Sequence, residues 1–95
     1  MLYYDALSRF LNEVGDDGRI GPSHISLYIA ILQYAERYGE NPVCAFSRDL
    51  MPLAKISGSA TFNKNIWELH KYGYIKYVPS YNHFLGSKIF INIKG

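Results

Sequence analysis

The chain has 95 residues, 48% of them hydrophobic and 19% charged, and a formal net charge of +2 at pH 7. Such a composition excludes an intrinsically disordered chain, and the length suits one domain spanning residues 1–95. No apolar run approaches the ~20 residues that cross a bilayer, so no membrane partner is expected.

The amino-terminal MLYYDALSRF lacks a basic n-region and an unbroken apolar stretch, so no signal peptide is expected. The lone Cys44 has no internal partner for a disulfide, which fits a cytoplasmic location. Charge is unevenly distributed. Residues 1–54 hold four arginines against seven acids, and residues 55–95 hold six lysines against Glu68 alone. A basic second half on an acidic first half predicts one side that faces a polyanion.

Tyr3, Leu7, Phe10 and Val14, widened by Tyr4 and Leu11, form a helical stripe over residues 2–14. GDDGRIG (15–21) reads as a loop. A second helix starts at Pro22 or Ser23 and ends at Tyr38-Gly39. It carries two stripes: Ile25, Tyr28, Ile29 and Leu32, and then Leu27, Ile31, Tyr34 and Tyr38. Such a helix is central to the core, or it also meets a partner chain. Val43 to Phe46 favours a strand. A short third helix follows through Leu50, Leu53, Ala54 and Ile56, capped by Ser47 or Asp49. Pro52 sits comfortably in a first turn only if Asp49 is the cap.

The stretch from Ser57 to Ile75 organises the rest. Phe62, Ile66 and Leu69 make one apolar stripe, Ser57 and Ser59 stand where they could cap the start, and Gly73 ends the helix. The opposite face carries Thr61, Asn63, Lys64, Asn65 and Glu68. Tyr74 to Val78 then reads as a strand, residues 79–88 as a turn-rich loop, and Ile89, Ile91 and Ile93 as the inward face of a last strand. Lys76 and Lys94 are strand lysines that can guard an edge.

This order, with the run from Thr61 through Phe62, Lys64, Ile66, Leu69 and Gly73 to Tyr74-Ile75, resembles the recognition helix and wing of a winged helix-turn-helix DNA-binding domain. Pro79-Ser80-Tyr81-Asn82 and Gly86-Ser87-Lys88 are similar to a wing phrase of small winged-helix proteins on mobile elements of Bacteroides-like bacteria, with His83 where that phrase has proline. The phage-repressor subclass is a poorer match, because Lys64 stands at its aliphatic position. The resemblance implies an α+β, mostly helical fold: a three-helix core with a small antiparallel sheet and wing over residues 22–94, preceded by an extra helix and loop over 1–21. It also implies a bacterial transcription regulator, or an accessory factor for excision or transposition, that reads the major groove with the helix at 59–72.

On that reading Thr61 and Asn63 face bases, and Lys64, Ser57 and Ser59 face phosphates. Tyr81, His83 and Lys88 reach a minor groove or the backbone, or else pack on the domain. Phe84 and Leu85 are expected to pack beneath the wing, with a wedge between base steps as the alternative. Trp67 is expected to be structural. Most of the nine tyrosines and five phenylalanines fall on apolar stripes, which suits core packing. The histidines and Cys44 lack metal-ligand spacing, and no nucleophile or phosphate-loop motif is present, so neither enzyme activity nor a metal, cofactor or small-molecule ligand is expected.

Double-stranded DNA is the expected partner; a protein-interaction module on the same fold is the alternative. A homodimer is also expected, through Tyr3, Tyr4, Phe10 and Leu11, or through Leu27, Ile31 and Tyr34.

Overall fold

The computed structural model describes residues 3–39, 41–82 and 84–91. It is an α+β structure, mostly helical, with four helices and a three-stranded antiparallel sheet among those residues. Expectations that rest on His83, Asn92, Ile93 and Lys94 lie outside the described residues.

Helix α1 (Tyr4–Val14) buries Ala6 and Phe10. Phe10 lies flat on Tyr28, with centroids 3.8 Å apart, and edge-on to Tyr74. Helix α2 (Pro22–Tyr38) runs through the middle of the core and buries Leu27, Tyr28, Ala30, Ile31, Leu32 and Ala35. Pro22 opens it at a position whose N–H would be unpaired in any case, and Gly39, at φ 65°, closes it. The residues expected to form a dimer contact are therefore mostly consumed within one chain. Tyr3, Phe10, Leu27 and Ile31 are buried, while Tyr4 and Leu11 stay exposed.

Helix α3 (Ser47–Ala54) corrects the expected cap. Phe46 holds the N-cap position, and Asp49 reaches back so that its Oδ2 accepts the Phe46 N–H at 3.2 Å. Pro52 consequently lies inside the helix, where it cannot donate to the Arg48 carbonyl. Lys55, at φ 61°, takes the left-handed turn that ends α3 and aims the chain into α4 (Ser59–Lys71). Phe62, Ile66 and Leu69 of α4 are buried, as the periodicity predicts. Its end follows the Schellman pattern: Gly73 is at φ 88°, and the Tyr74 N–H reaches the Leu69 carbonyl at 3.0 Å.

Strand β1 (Val43–Ala45) and strand β2 (Ile75–Val78) flank the central β3 (Ser87–Ile91), giving the order β1-β3-β2. Val43 and Tyr77 both pair with Ile89, and Ile75 pairs with Ile91. Val43, Ala45, Ile75, Ile89 and Ile91 form the inward face. The Asn41 side chain extends the ladder by one rung, accepting the Ile91 N–H at 3.0 Å and donating to the Ile91 carbonyl at 3.2 Å.

The GDDGRIG loop is tied down by charge. Arg19 grips Asp17 through Nε and Nη2, each at 2.8 Å, and lies 4.0 Å over the Tyr72 ring. The Tyr74 hydroxyl donates to Asp17 Oδ2 at 2.6 Å. The Arg19 bonds, then the Tyr74 bond, hold the Asp17 carboxyl well below the usual carboxylate range. Burial and the same bond push Tyr74 up to about 12. A carboxyl depressed on folding contributes stability above its unfolded value of 3.8, and that contribution fades as pH falls toward the folded value. Asp17→Asn should therefore melt below the wild type at about pH 7, and the gap should narrow by about pH 2.5. Thermal unfolding of both proteins across that range checks it; a gap independent of pH would contradict the assignment.

Candidate functional site

The buried stripe of α4 decides which of its side chains reach solvent. Ser59, Thr61, Asn63 and Lys64 are exposed, as are Trp67 and Lys71. Two residues placed on that face by sequence turn inward instead. Asn65 is only 3% exposed; its Oδ1 accepts from the Ser23 hydroxyl at 3.1 Å and its Nδ2 donates to the Thr61 carbonyl at 2.8 Å. Glu68 Oε1 meets His24 Nε2 at 2.8 Å. The other His24 nitrogen, Nδ1, accepts the Gly21 N–H at 2.9 Å, so Nε2 carries the proton and donates to Glu68.

The consequence is electrostatic. Glu68 is the single acid of the second half, and it is engaged with α2 rather than set among the lysines. Among the described residues, Lys55, Lys64, Lys71, Lys88 and Arg48 make no ion pair. Arg48, which the charge count assigns to the acidic half, instead lies 4.1 Å over the Phe46 ring beside α4.

The start of α4 differs from expectation. Gly58 is the N-cap residue, Ser59 is the first helical residue, and no side chain caps the first turn. Ser57 and Ser59 are both exposed, and neither acts as a cap. The free N–H groups of that turn are therefore open to an outside acceptor.

A cleft of about 420 Å³ separates α4 from the β2–β3 loop. Asn63 lines it from the helix, Tyr81, Asn82 and Leu85 from the loop, and Phe46 and Arg48 from the start of α3. The structure thus brings Asn63 and Tyr81 to one cleft. Ser57 lies in a second depression with Arg48 and Lys55, so Arg48 borders both. Lys88 is exposed on β3, opposite Cys44 and Val78.

The angle between α4 and the hairpin is set by packing. Trp67 stands edge-on to Tyr77, with centroids 4.9 Å apart, and to His70 at 5.6 Å. His70 Nδ1 accepts the Tyr77 N–H at 3.0 Å, which satisfies a donor on the free edge of β2. Phe84 and Leu85 do not pack beneath the loop; both are exposed.

Comparison with known protein families, curated proteins and solved structures finds no match. Among the described residues, no group of three or more His, Cys, Asp or Glu is placed to hold a metal ion.

The base of the loop meets β1 backbone to backbone. A Cβ added at Gly86 would stand 2.8 Å from the Ala45 nitrogen and 2.9 Å from its carbonyl carbon. Backbone cannot yield as a side-chain tip can, so Gly86→Ala should cost roughly 1–3 kcal/mol and displace the loop. Denaturant unfolding together with amide shifts at Ala45 and Ser87 checks this; wild-type stability with unmoved shifts would contradict it.

Proposed function

We propose that the chain is a winged helix-turn-helix protein that binds double-stranded DNA, with α4 in the major groove and the β2–β3 hairpin as the wing. The succession α2-β1-α3-α4-β2-β3 and the sheet order β1-β3-β2 support that topology, with α1 as an added helix. The observation that carries the reading is the face of α4. It offers Ser59, Thr61, Asn63 and Lys64 to solvent while its only carboxylate is engaged by His24.

The residue types suit the task. Asn63 has the donor and acceptor needed for adenine, and Thr61 offers a hydroxyl and a methyl. Lys64, Arg48 and Lys88 supply phosphate contacts, and the uncapped first turn that begins at Ser59 adds backbone donors. Tyr81 and its loop extend the contact beyond the major groove. The reading is of a binding protein and not an enzyme. In keeping with the wing phrase, its setting is a regulator or an excision or transposition factor of a mobile element.

Lys64→Ala should weaken binding to every duplex and make the salt dependence shallower by about one unit, because one fewer counterion is released. Fluorescence anisotropy on random-sequence duplex at several salt concentrations measures both. Unchanged affinity and slope would mean that α4 does not lie at the phosphates.

A further inference from the structure

Three large apolar side chains crowd the tip of the β2–β3 loop and face water. Tyr81 is 92% exposed, Phe84 89% and Leu85 59%. Single exposed apolar residues are ordinary on a protein surface, but three within five positions of one turn are not.

The loop holds them outward through its own polar groups. Asn82 Oδ1 accepts the Phe84 N–H at 2.9 Å, and the Asn82 carbonyl accepts the Leu85 N–H at 3.1 Å. Ser80 Oγ accepts the Asn82 N–H at 3.2 Å, and the Ser80 N–H donates to Ser87 Oγ at 3.2 Å. At its base, Gly86 is pressed against Ala45. A cleft of about 420 Å³ opens beside this turn, yet Phe84 stays out of it. The turn is built to display its apolar side chains.

The surroundings indicate what receives them. The adjoining cleft has Arg48 and Asn63 on its walls and no acidic residue, and exposed Lys88 lies on the strand that leaves the turn. A polyanion with an apolar interior fits this setting: a DNA duplex, whose bases stack behind its phosphates. Its minor groove, about 6 Å wide, can be opened by apolar side chains that wedge between base steps. We infer that Phe84 and Leu85, with Tyr81 beside them, form a wedge that enters the minor groove next to the α4 contact and unstacks one base step, so that the bound duplex is bent. This rests on the DNA-binding reading and adds to it a deformation that neither α4 nor a phosphate-tracking wing requires. Pyrimidine–purine steps, which unstack most readily, would be preferred there.

The test uses the full chain and duplexes selected by it from a random-sequence pool. A 2-aminopurine is placed at successive steps, and dyes at the two ends report bending by energy transfer. The inference predicts a several-fold rise in 2-aminopurine fluorescence at one step and a shortened end-to-end distance. The double variant Phe84→Ser, Leu85→Ser should lose both signals, yet keep the wild-type melting curve and salt slope, since neither residue is buried or charged. Binding without unstacking or bending would overturn the wedge. So would a double variant that keeps both signals, or one that loses only self-association in sedimentation. No binding to any duplex at low salt would remove the DNA reading itself, a failure distinguishable from binding to a straight duplex.

Discussion

Two hydrogen bonds between α2 and α4 fix how α4 is turned about its own axis. The Ser23 hydroxyl bonds Asn65, and His24 bonds Glu68. The stripe of Phe62, Ile66 and Leu69 would tolerate some rotation, since apolar burial has no direction. The polar pair does not. Turning α4 would part Asn65 from Ser23 and Glu68 from His24, and each buried polar group left unsatisfied costs about 1–3 kcal/mol. With that rotation set, Thr61, Asn63 and Lys64 share the exposed side, and the one carboxylate of the helix is kept from the lysines.

The same economy of contacts places the hairpin. His70 and Trp67, on the last turns of α4, hold Tyr77 of β2, and Gly86 seats the far end of the loop on β1. The cleft between α4 and the loop is therefore bounded by elements braced at both ends. On the proposed reading this brings a base-reading helix and a wing to one duplex with little left to organise on binding, which favours affinity by reducing the ordering cost.

Much of the architecture could be read from local pattern. The α4 stripe, the Gly73 exit and the alternation of Ile89 and Ile91 depend on spacing alone, and spacing survives folding. Features set by distant partners could not be read in this way. Spacing alone puts Asn65 on the solvent face, because Ser23, its partner, is 42 residues away. Glu68 falls on the polar face by spacing for the same reason, with His24 44 residues away. Arg48 belongs by sequence to the acidic half, and only the turn at Lys55 brings it beside α4. The cap of α3 differs from the expected one because Asp49 acts backward from the third helical position instead of leading the helix. Part of the expected dimer surface is spent within one chain, since α1 and α2 stack Phe10 on Tyr28 and bury Leu27 and Ile31, while Tyr4 and Leu11 stay exposed.

On the proposed reading one face, built from the exposed side of α4 and the hairpin tip, meets duplex DNA. Amide chemical-shift mapping of the full chain against a duplex, at low salt and then at higher salt, tests it most directly. Binding through that face should give salt-sensitive shifts gathered at Ser59, Thr61, Asn63, Lys64, Tyr81 and Lys88, with the exposed face of α1 around Tyr4 and Leu11 unmoved. Shifts gathered on α1, or none at any site when duplex is in excess, would contradict it.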